Sequence, residues 1–294
     1  MMHHTKTAAA ALALALLGTT ASAQEIVVGG KNFTEQLLLS EMTAQLLAAN
    51  GFDVDKNDGL GSTVLRQAQE NGQVDVYWEY TGTSLVTYNG VEEKLDRDAT
   101  IERVSQLDGE KGLTWLACSD ANNTYAFAVR GEDDRTDGIA TLSDMAAAFN
   151  DGDPLDLAVN AEFPRRPDGL PGVEETYGFD VGRANLKSMD SGLTYQALNE
   201  DQVDAALVFA TDGRIAGFGF RVLEDDQGFF PAYSICPVIR TETLDANPGV
   251  REPLEAVSAA LDDATMQALN ARVDVEKVSI EQVATDFLTE QGLL

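Results

Sequence analysis

The sequence predicts an α/β protein of two lobes that face each other across a cleft, and three observations predict it. Residues 73–83, QVDVYWEYTGT, have a counterpart in residues 202–212, QVDAALVFATD. At this offset Gln67, Ala68, Gln73, Val74 and Asp75 match Gln196, Ala197, Gln202, Val203 and Asp204, and aromatic Tyr80 falls opposite aromatic Phe209. Each copy reads as a helix end, a tight polar turn and a short buried strand that ends on a ring. Around the first copy, strand-like and helix-period segments follow one another in βαβαβ order, the pattern of a parallel sheet with right-handed crossovers. Loops and helix N-termini converge at the C-terminal ends of such strands. Two copies therefore imply two rings facing a shared cleft, although a repeated βα unit with no further meaning would leave the same matches.

Taken in order, residues 25–28 form an apolar strand followed by Gly29, Gly30, Lys31 and Asn32. A helix starts here with Asn32 as expected N-cap and Glu35 as its reciprocal capping residue. Leu37, Leu38, Met42, Leu46 and Leu47 recur at helical spacing, and Asn50-Gly51 ends the run. Strand, glycines and helix N-terminus make an anion-binding corner with Lys31 at its rim, or a plain βα turn; G-x-G-x-x-G and the P-loop are both absent. Residues 52–57 read as a strand, a helix capped by Ser62 runs to about residue 71, and residues 74–78 are a third strand. Residues 84–88 read as helical, and residues 89–112 are polar and helical in part. Residues 113–118 are apolar and 125–129 strand-like, with the first crossing between lobes at residues 120–125. Lobe two then holds a helix at 142–149, a strand at 155–159, the loop AEFPRRPDGLPG, a helix at 192–199 and a strand at 203–209. The chain returns through Phe229, Phe230, Pro231, Ala232, Tyr233 and Cys236, the second crossing, and amphipathic helices at 254–261 and 280–288 finish lobe one. The expected division is a signal peptide at 1–23, lobe one at 24–120 and 236–294, and lobe two at 121–235.

Composition excludes much. Lys6, the apolar run 8–17 and the small residues ending in Ala21, Ser22 and Ala23 mark a secretory signal. No Cys follows the run, so a lipid anchor is not expected, and no later stretch reaches the ~20 apolar residues of a membrane span. The expected location is a periplasm or the cell exterior. Twenty Lys+Arg stand against 49 Asp+Glu, a formal charge of −29 that argues against nucleic acid or an anionic membrane as partner. The only histidines, His3 and His4, fall in the signal. That removes His-based general base catalysis, His-dependent triads and most transition-metal sites from the mature chain, and no cofactor is expected. Cys118 and Cys236 read best as one disulfide in an oxidising compartment. If the two crossings lie side by side as strands, that bridge braces the hinge.

Tyr80, Tyr125, Phe209 and Tyr233 all lie at segment ends near the crossings. Ring faces attract a quaternary ammonium group, which cannot donate a hydrogen bond, by ~0.5–2 kcal/mol each. Arg166 beside Arg165 could hold a carboxylate, or simply pair with Glu162. Lys31 and Arg166 would be opposite jaws on one anion, so a zwitterion with a methylated ammonium and a carboxylate would satisfy rings and jaws together. The alternative is a secreted hydrolase using Glu79 or Glu162 with Asp212, although no nucleophile and base pair stands out.

The blocks GGKNFTEQLLLSEM, DVYWEYTGTSL, NNTYAFAV, AEFPRRPDGLPG, DSGLTYQAL, FATDGRI and VLEDDQGFFPAYSICPV occur in this order. With them the mature chain resembles the substrate-binding proteins of ABC importers for glycine betaine, choline and related compatible solutes. The resemblance implies a type II periplasmic binding fold, with mainly parallel sheets and two crossing strands as hinge. It implies a non-enzymatic, monomeric receptor for a quaternary ammonium ligand, serving a membrane permease. The aromatic box would fall on Tyr80, Tyr125, Phe209 and Tyr233, and the carboxylate contacts on Lys31, Thr83 and Arg166. Two positions depart from the pattern: Phe209 stands where the box usually has Tyr, and Asn123 where some members have an Asp facing the ligand.

Overall fold

The computed structural model describes residues 25–152 and 155–294, so the expected signal peptide lies outside the described residues. Among the described residues ten strands form two five-stranded sheets. The first sheet contains β1 (Ile26–Lys31), β2 (Val54–Leu60), β3 (Val76–Tyr80), β4 (Leu113–Trp115) and β10 (Ile235–Arg240). The second contains β5 (Tyr125–Arg130), β6 (Leu157–Asn160), β7 (Leu186–Met189), β8 (Ala205–Phe209) and β9 (Phe220–Val222).

The strand orders are β2-β1-β3-β10-β4 and β7-β6-β8-β5-β9. In each sheet the first three strands run parallel, and the fourth lies antiparallel to both neighbours. Both sheets are thus mixed, and one topology is used twice. The parallel part follows from the βαβαβ order, whereas the antiparallel strand of each lobe comes from a distant part of the chain.

The repeat read from the sequence is a repeat in hydrogen bonding. Gln73 N donates to Ala68 O at 2.8 Å, and Gln202 N to Ala197 O at 2.9 Å. The Asp75 carboxylate accepts from Val27 N at 2.9 Å, and that of Asp204 from Asp156 N at 2.8 Å. Each aspartate thus ties the start of its strand to the neighbouring strand. The turn position is Gly72 in one copy (φ 75°) and Asp201 in the other (φ 57°). This left-handed conformation is one that Asp tolerates better than most side chains. β3 and β8 occupy the middle of their sheets, and their last residues are Tyr80 and Phe209.

The first helix, Thr34–Ala49, buries Leu38, Leu39, Met42, Leu46 and Leu47. Full burial of such side chains is worth about 1.5–3 kcal/mol each, which fixes the helix against its sheet. Its start differs from the expectation. The N-cap is Phe33, without a side-chain cap, and Glu35 turns into the interior at 2% exposure instead of closing a capping box with Asn32. Ser62 likewise is the first residue of its helix, with Gly61 at the N-cap. A Cβ on Gly29 would lie 2.6 Å from Leu65 Cδ1 and 2.7 Å from Val74 Cγ1, so close packing of the Ser62–Glu70 helix requires this glycine. Residues Thr83–Tyr88 form a π-helix, a form frequent at functional sites.

The two crossings run side by side. Ser119 N donates to Ile235 O at 2.9 Å, Ile235 N to Ala121 O at 3.3 Å, and Asn123 N to Tyr233 O at 3.1 Å. Cys118 and Cys236 form a disulfide there, with Cα atoms 4.2 Å apart. Beyond the second crossing the chain adds the helices Arg251–Ala259, Asp263–Asp274 and Ile280–Glu290, the middle one absent from the sequence reading. Among the described residues no helix is long and apolar enough to cross a membrane.

Candidate ligand-binding site

Where the C-terminal ends of the two sheets meet the crossings, a cavity of about 50 Å³ remains. One water requires ~10–15 Å³ on this measure, so the space suits a small solute. Its lining includes all eight residues singled out in the sequence: Lys31, Tyr80, Thr83, Asn123, Tyr125, Arg166, Phe209 and Tyr233. Strand ends deliver most of them. Lys31 ends β1, Tyr80 ends β3, Phe209 ends β8 and Tyr125 begins β5, while Asn123 and Tyr233 lie on the crossings.

The rings enclose the space from several sides. The Tyr125 centroid is 5.4 Å from that of Phe209 and 5.5 Å from that of Tyr233, the second pair nearly perpendicular at 82°. Gly82 lets Tyr233 approach, since a Cβ there would lie 2.8 Å from its ring. The sequence reading missed a further ring: Phe33 stacks on Phe209 at 4.9 Å and on Tyr80 at 6.1 Å, and it lines the same cavity. Its only sequence signal is an aromatic residue just after the β1 turn.

The basic residues are held by carboxylates. Lys31 Nζ lies 2.5 Å from Glu79 Oε1, and Glu79 also accepts from Tyr77 OH and Tyr80 N, both at 2.7 Å. Burial pushes the Lys31 pKa down, with Glu79 opposing the shift. Arg166 is clamped by Asp168 through Nε at 2.9 Å and Nη2 at 2.6 Å, and Nη2 also reaches Thr83 Oγ1 at 3.2 Å. The alternative pairing of Arg166 with Glu162 is a 3.9 Å approach of Nη1. An ammonium has three donors and a guanidinium five. Lys31 therefore keeps N–H groups beyond its Glu79 bond, and the Arg166 fork keeps Nη1, so both can take a ligand anion without first breaking these pairs. Each cation also lies over a box ring, Lys31 at 4.7 Å from the Tyr80 centroid and Arg166 at 5.4 Å from that of Tyr125.

The lobes touch across this cavity. Glu162 accepts from Ser62 N at 2.8 Å and Thr87 Oγ1 donates to Asp168 at 3.0 Å, while within the second lobe Tyr233 OH donates to the same Asp168 at 2.8 Å. Behind the rings Glu35 gathers Tyr80 OH at 2.8 Å, Asn123 Nδ2 at 2.7 Å, Thr211 Oγ1 at 2.5 Å and Asn270 Nδ2 at 3.3 Å. Burial raises the Glu35 pKa against these donors. Burial, together with the Glu35 charge, pushes the Tyr80 phenol well above its usual value.

A family model described as the substrate binding domain of an ABC-type glycine betaine transport system matches residues 24–290. The chain belongs to this family. A glycine-betaine-binding protein of Pseudomonas aeruginosa is 45% identical over 280 residues, covering 93% of this chain and 90% of that protein. The glycine betaine-binding protein YehZ of Escherichia coli is 35% identical over 280 residues and 92% of each chain. The crystal structure of a glycine betaine/carnitine/choline ABC transporter superposes with a TM-score of 0.71 at 28% identity, covering 91% of this chain and 99% of that one. Family membership agrees with the two-lobed α/β architecture.

Proposed function

We propose that this protein captures a quaternary ammonium osmolyte, such as glycine betaine, choline or a related methylated amine, between its lobes and delivers it to the permease of an ABC importer. The observation that carries this reading is the meeting, around one small cavity, of ring faces from both lobes with Lys31 and Arg166. The rings attract the methylated cation through their quadrupoles. Lys31, Thr83 and Arg166 take a carboxylate at the other end of the molecule. Names of relatives and the importer family supply the ligand class and the partner. The proposed working compartment is the periplasm, reached by removal of residues 1–23, with residues 24–120 and 236–294 as one lobe and 121–235 as the other. Ligand favours the closed arrangement because only there does it touch both lobes at once.

Binding without chemistry fits the disposition of the acidic residues better than hydrolysis does. Glu79 is fully buried and bonded to Lys31, Tyr77 and Tyr80, while Asp212 is tied to Arg214. Calorimetric titration of the purified protein with glycine betaine and choline tests the reading, with saturable one-to-one binding and recovery of unchanged ligand expected. Absence of binding to any methylated amine, or appearance of a product, would reject it.

A further inference from the structure

Resting on the ligand class proposed above, we propose that Glu35 is the counter-charge of the bound cation and holds Tyr80 and Asn123 in position from behind the rings. Its isolation from any basic partner carries the argument. Among the described residues the other buried carboxylates each have a basic partner within 4 Å: Asp75 has Arg240, Glu79 has Lys31, Asp108 has Arg66, Asp168 has Arg166 and Asp212 has Arg214. Glu35 is as deeply buried, at 2% exposure, yet its four partners are neutral. Burying a carboxylate is costly unless hydrogen bonds and an opposite charge compensate. The hydrogen bonds are present, and the opposite charge has a place to arrive, because Tyr80 and Asn123 both line the cavity.

The geometry also couples the charge to the ring. Tyr80 OH donates to Glu35 Oε1, a charge-assisted bond that leaves the phenol richer in electron density. The face turned toward a cation becomes a better partner for it. The donors come from four segments: the end of β3, the first crossing, the stretch after β8 and the helix Asp263–Asp274. The carboxylate therefore fixes one wall of the cavity to both lobes.

Other charged groups near this position are already matched. Lys31, over the Tyr80 ring, is paired with Glu79. Asp212 and Arg214 beneath Phe209 pair with each other, and Asp274, bonded to Thr34, lies 3.2 Å from Arg214. Of the carboxylates lining the cavity, Glu162 lies 3.9 Å from Arg166 and Asp190 is exposed to solvent, so among the buried carboxylates of the described residues Glu35 holds the charge left for a ligand to neutralise.

Glu35→Gln removes the charge and keeps the shape, and its amide can donate to the Thr211 hydroxyl. The double variant Glu35→Gln/Asn123→Asp moves the carboxylate to the group 2.7 Å away. Affinities for glycine betaine and for 3,3-dimethylbutanoate, in which carbon replaces the nitrogen, are measured by calorimetry on variants whose folding is checked by circular dichroism. The expected result is that Glu35→Gln lowers the preference for betaine over the isostere with the uncharged head about tenfold, or ~1.4 kcal/mol, and that the double variant restores most of it. Equal weakening of both ligands, or an unchanged preference, would overturn the inference, since a purely structural residue does not distinguish nitrogen from carbon. Should Glu35→Gln fail to fold, the wild-type preference for choline over 3,3-dimethylbutan-1-ol, neither of which titrates between pH 8 and pH 4, decides over that range. It should fall as Glu35 takes up its proton, and a flat profile overturns the inference. Wild-type protein that binds no betaine would refute the ligand class itself, a different failure from equal loss of both ligands in the variant.

Discussion

Replacing Tyr125 by Leu tests the ring box most directly. Tyr125 is 8% exposed and packs against Phe163 at 5.1 Å, Phe209 at 5.4 Å, Tyr233 at 5.5 Å and Phe230 at 6.1 Å. Leucine keeps the apolar bulk and removes the quadrupole. In so dry a setting the cation–π contribution belongs in the upper part of its range, ~1–2 kcal/mol, so the dissociation constant for glycine betaine should rise about 5- to 30-fold. The lost ring pairs, at ~0.5–1.5 kcal/mol each, lower stability as well, so the melting temperature must be measured beside the affinity. Calorimetry is the right assay. The two tryptophans lie in the first lobe, bonded to Thr43 and Asp108, and neither lines the cavity, so their fluorescence would report binding only indirectly. Tyr125→Phe, which keeps the face, should stay within about twofold of wild type. Tyr125→Leu at wild-type affinity, in a folded protein, would remove Tyr125 from the site and refute the cation–π account.

Phe209→Tyr should bind betaine as tightly as wild type or more so, because the ring is half-buried and keeps its place between Phe33 and Tyr125; a clear loss by calorimetry would mean that this wall of the box has been placed wrongly. Reducing the Cys118–Cys236 bridge opens a loop with a sequence separation of 118, for which chain entropy gives about 5 kcal/mol and measured cases commonly 2–5. Urea unfolding with and without reductant reads the difference, and two free thiols in non-reducing mass spectrometry would reject the bridge. Asp108→Ala should destabilise the fold by about 3–5 kcal/mol, because it removes the bidentate partner of the buried Arg66, leaving it only Glu70, yet leave betaine affinity within about twofold. Burial opposes ionisation of Asp108, but the Arg66 hydrogen bonds and charge outweigh it and hold its pKa below the usual carboxylate value. A carboxyl lowered in the folded state stabilises at pH above its unfolded pKa and loses that contribution as pH falls through the folded one. Wild-type stability should therefore drop below about pH 4 more steeply than that of Asp108→Ala, as acid titration followed by circular dichroism will show.

The parts of this molecule legible in its sequence are those set by local chemistry. Strand and helix periods placed β1, β3, β5 and β8, and the repeated turn around Gln73 and Gln202 announced two lobes before any long-range contact was known. The rings Tyr80 and Phe209 were visible because the repeat aligns them. What stayed hidden depends on partners far along the chain. Glu35 has the spacing of a capping residue after Asn32, and only Thr211 and Asn270, 176 and 235 positions away, draw it inward. The carboxylates that hold Lys31 and Arg166 are anonymous among 49 acidic residues. Phe33 looks like one more apolar residue at a helix start until it meets Phe209 across the cleft. β10 escaped assignment as a strand because Pro237 interrupts its apolar run, a residue that argues against a strand in the middle of a sheet.

The paired crossings have a consequence for how a solute is taken up. Tied together by main-chain hydrogen bonds and a covalent bond, they would serve the proposed closure as a pivot that turns as one piece, and displacement under rotation grows with the lever arm. Tyr125 and Tyr233 sit on or beside that axis. Lys31 and Arg166 hang from β1 and the far end of β6, two strands out in their sheets. Swinging the lobes apart would leave the first pair of rings nearly stationary while carrying the basic side chains well away. The methylated end of an incoming molecule would thus find much the same welcome in either posture, and only a molecule of the right length would be gripped at its tail when the jaws came together.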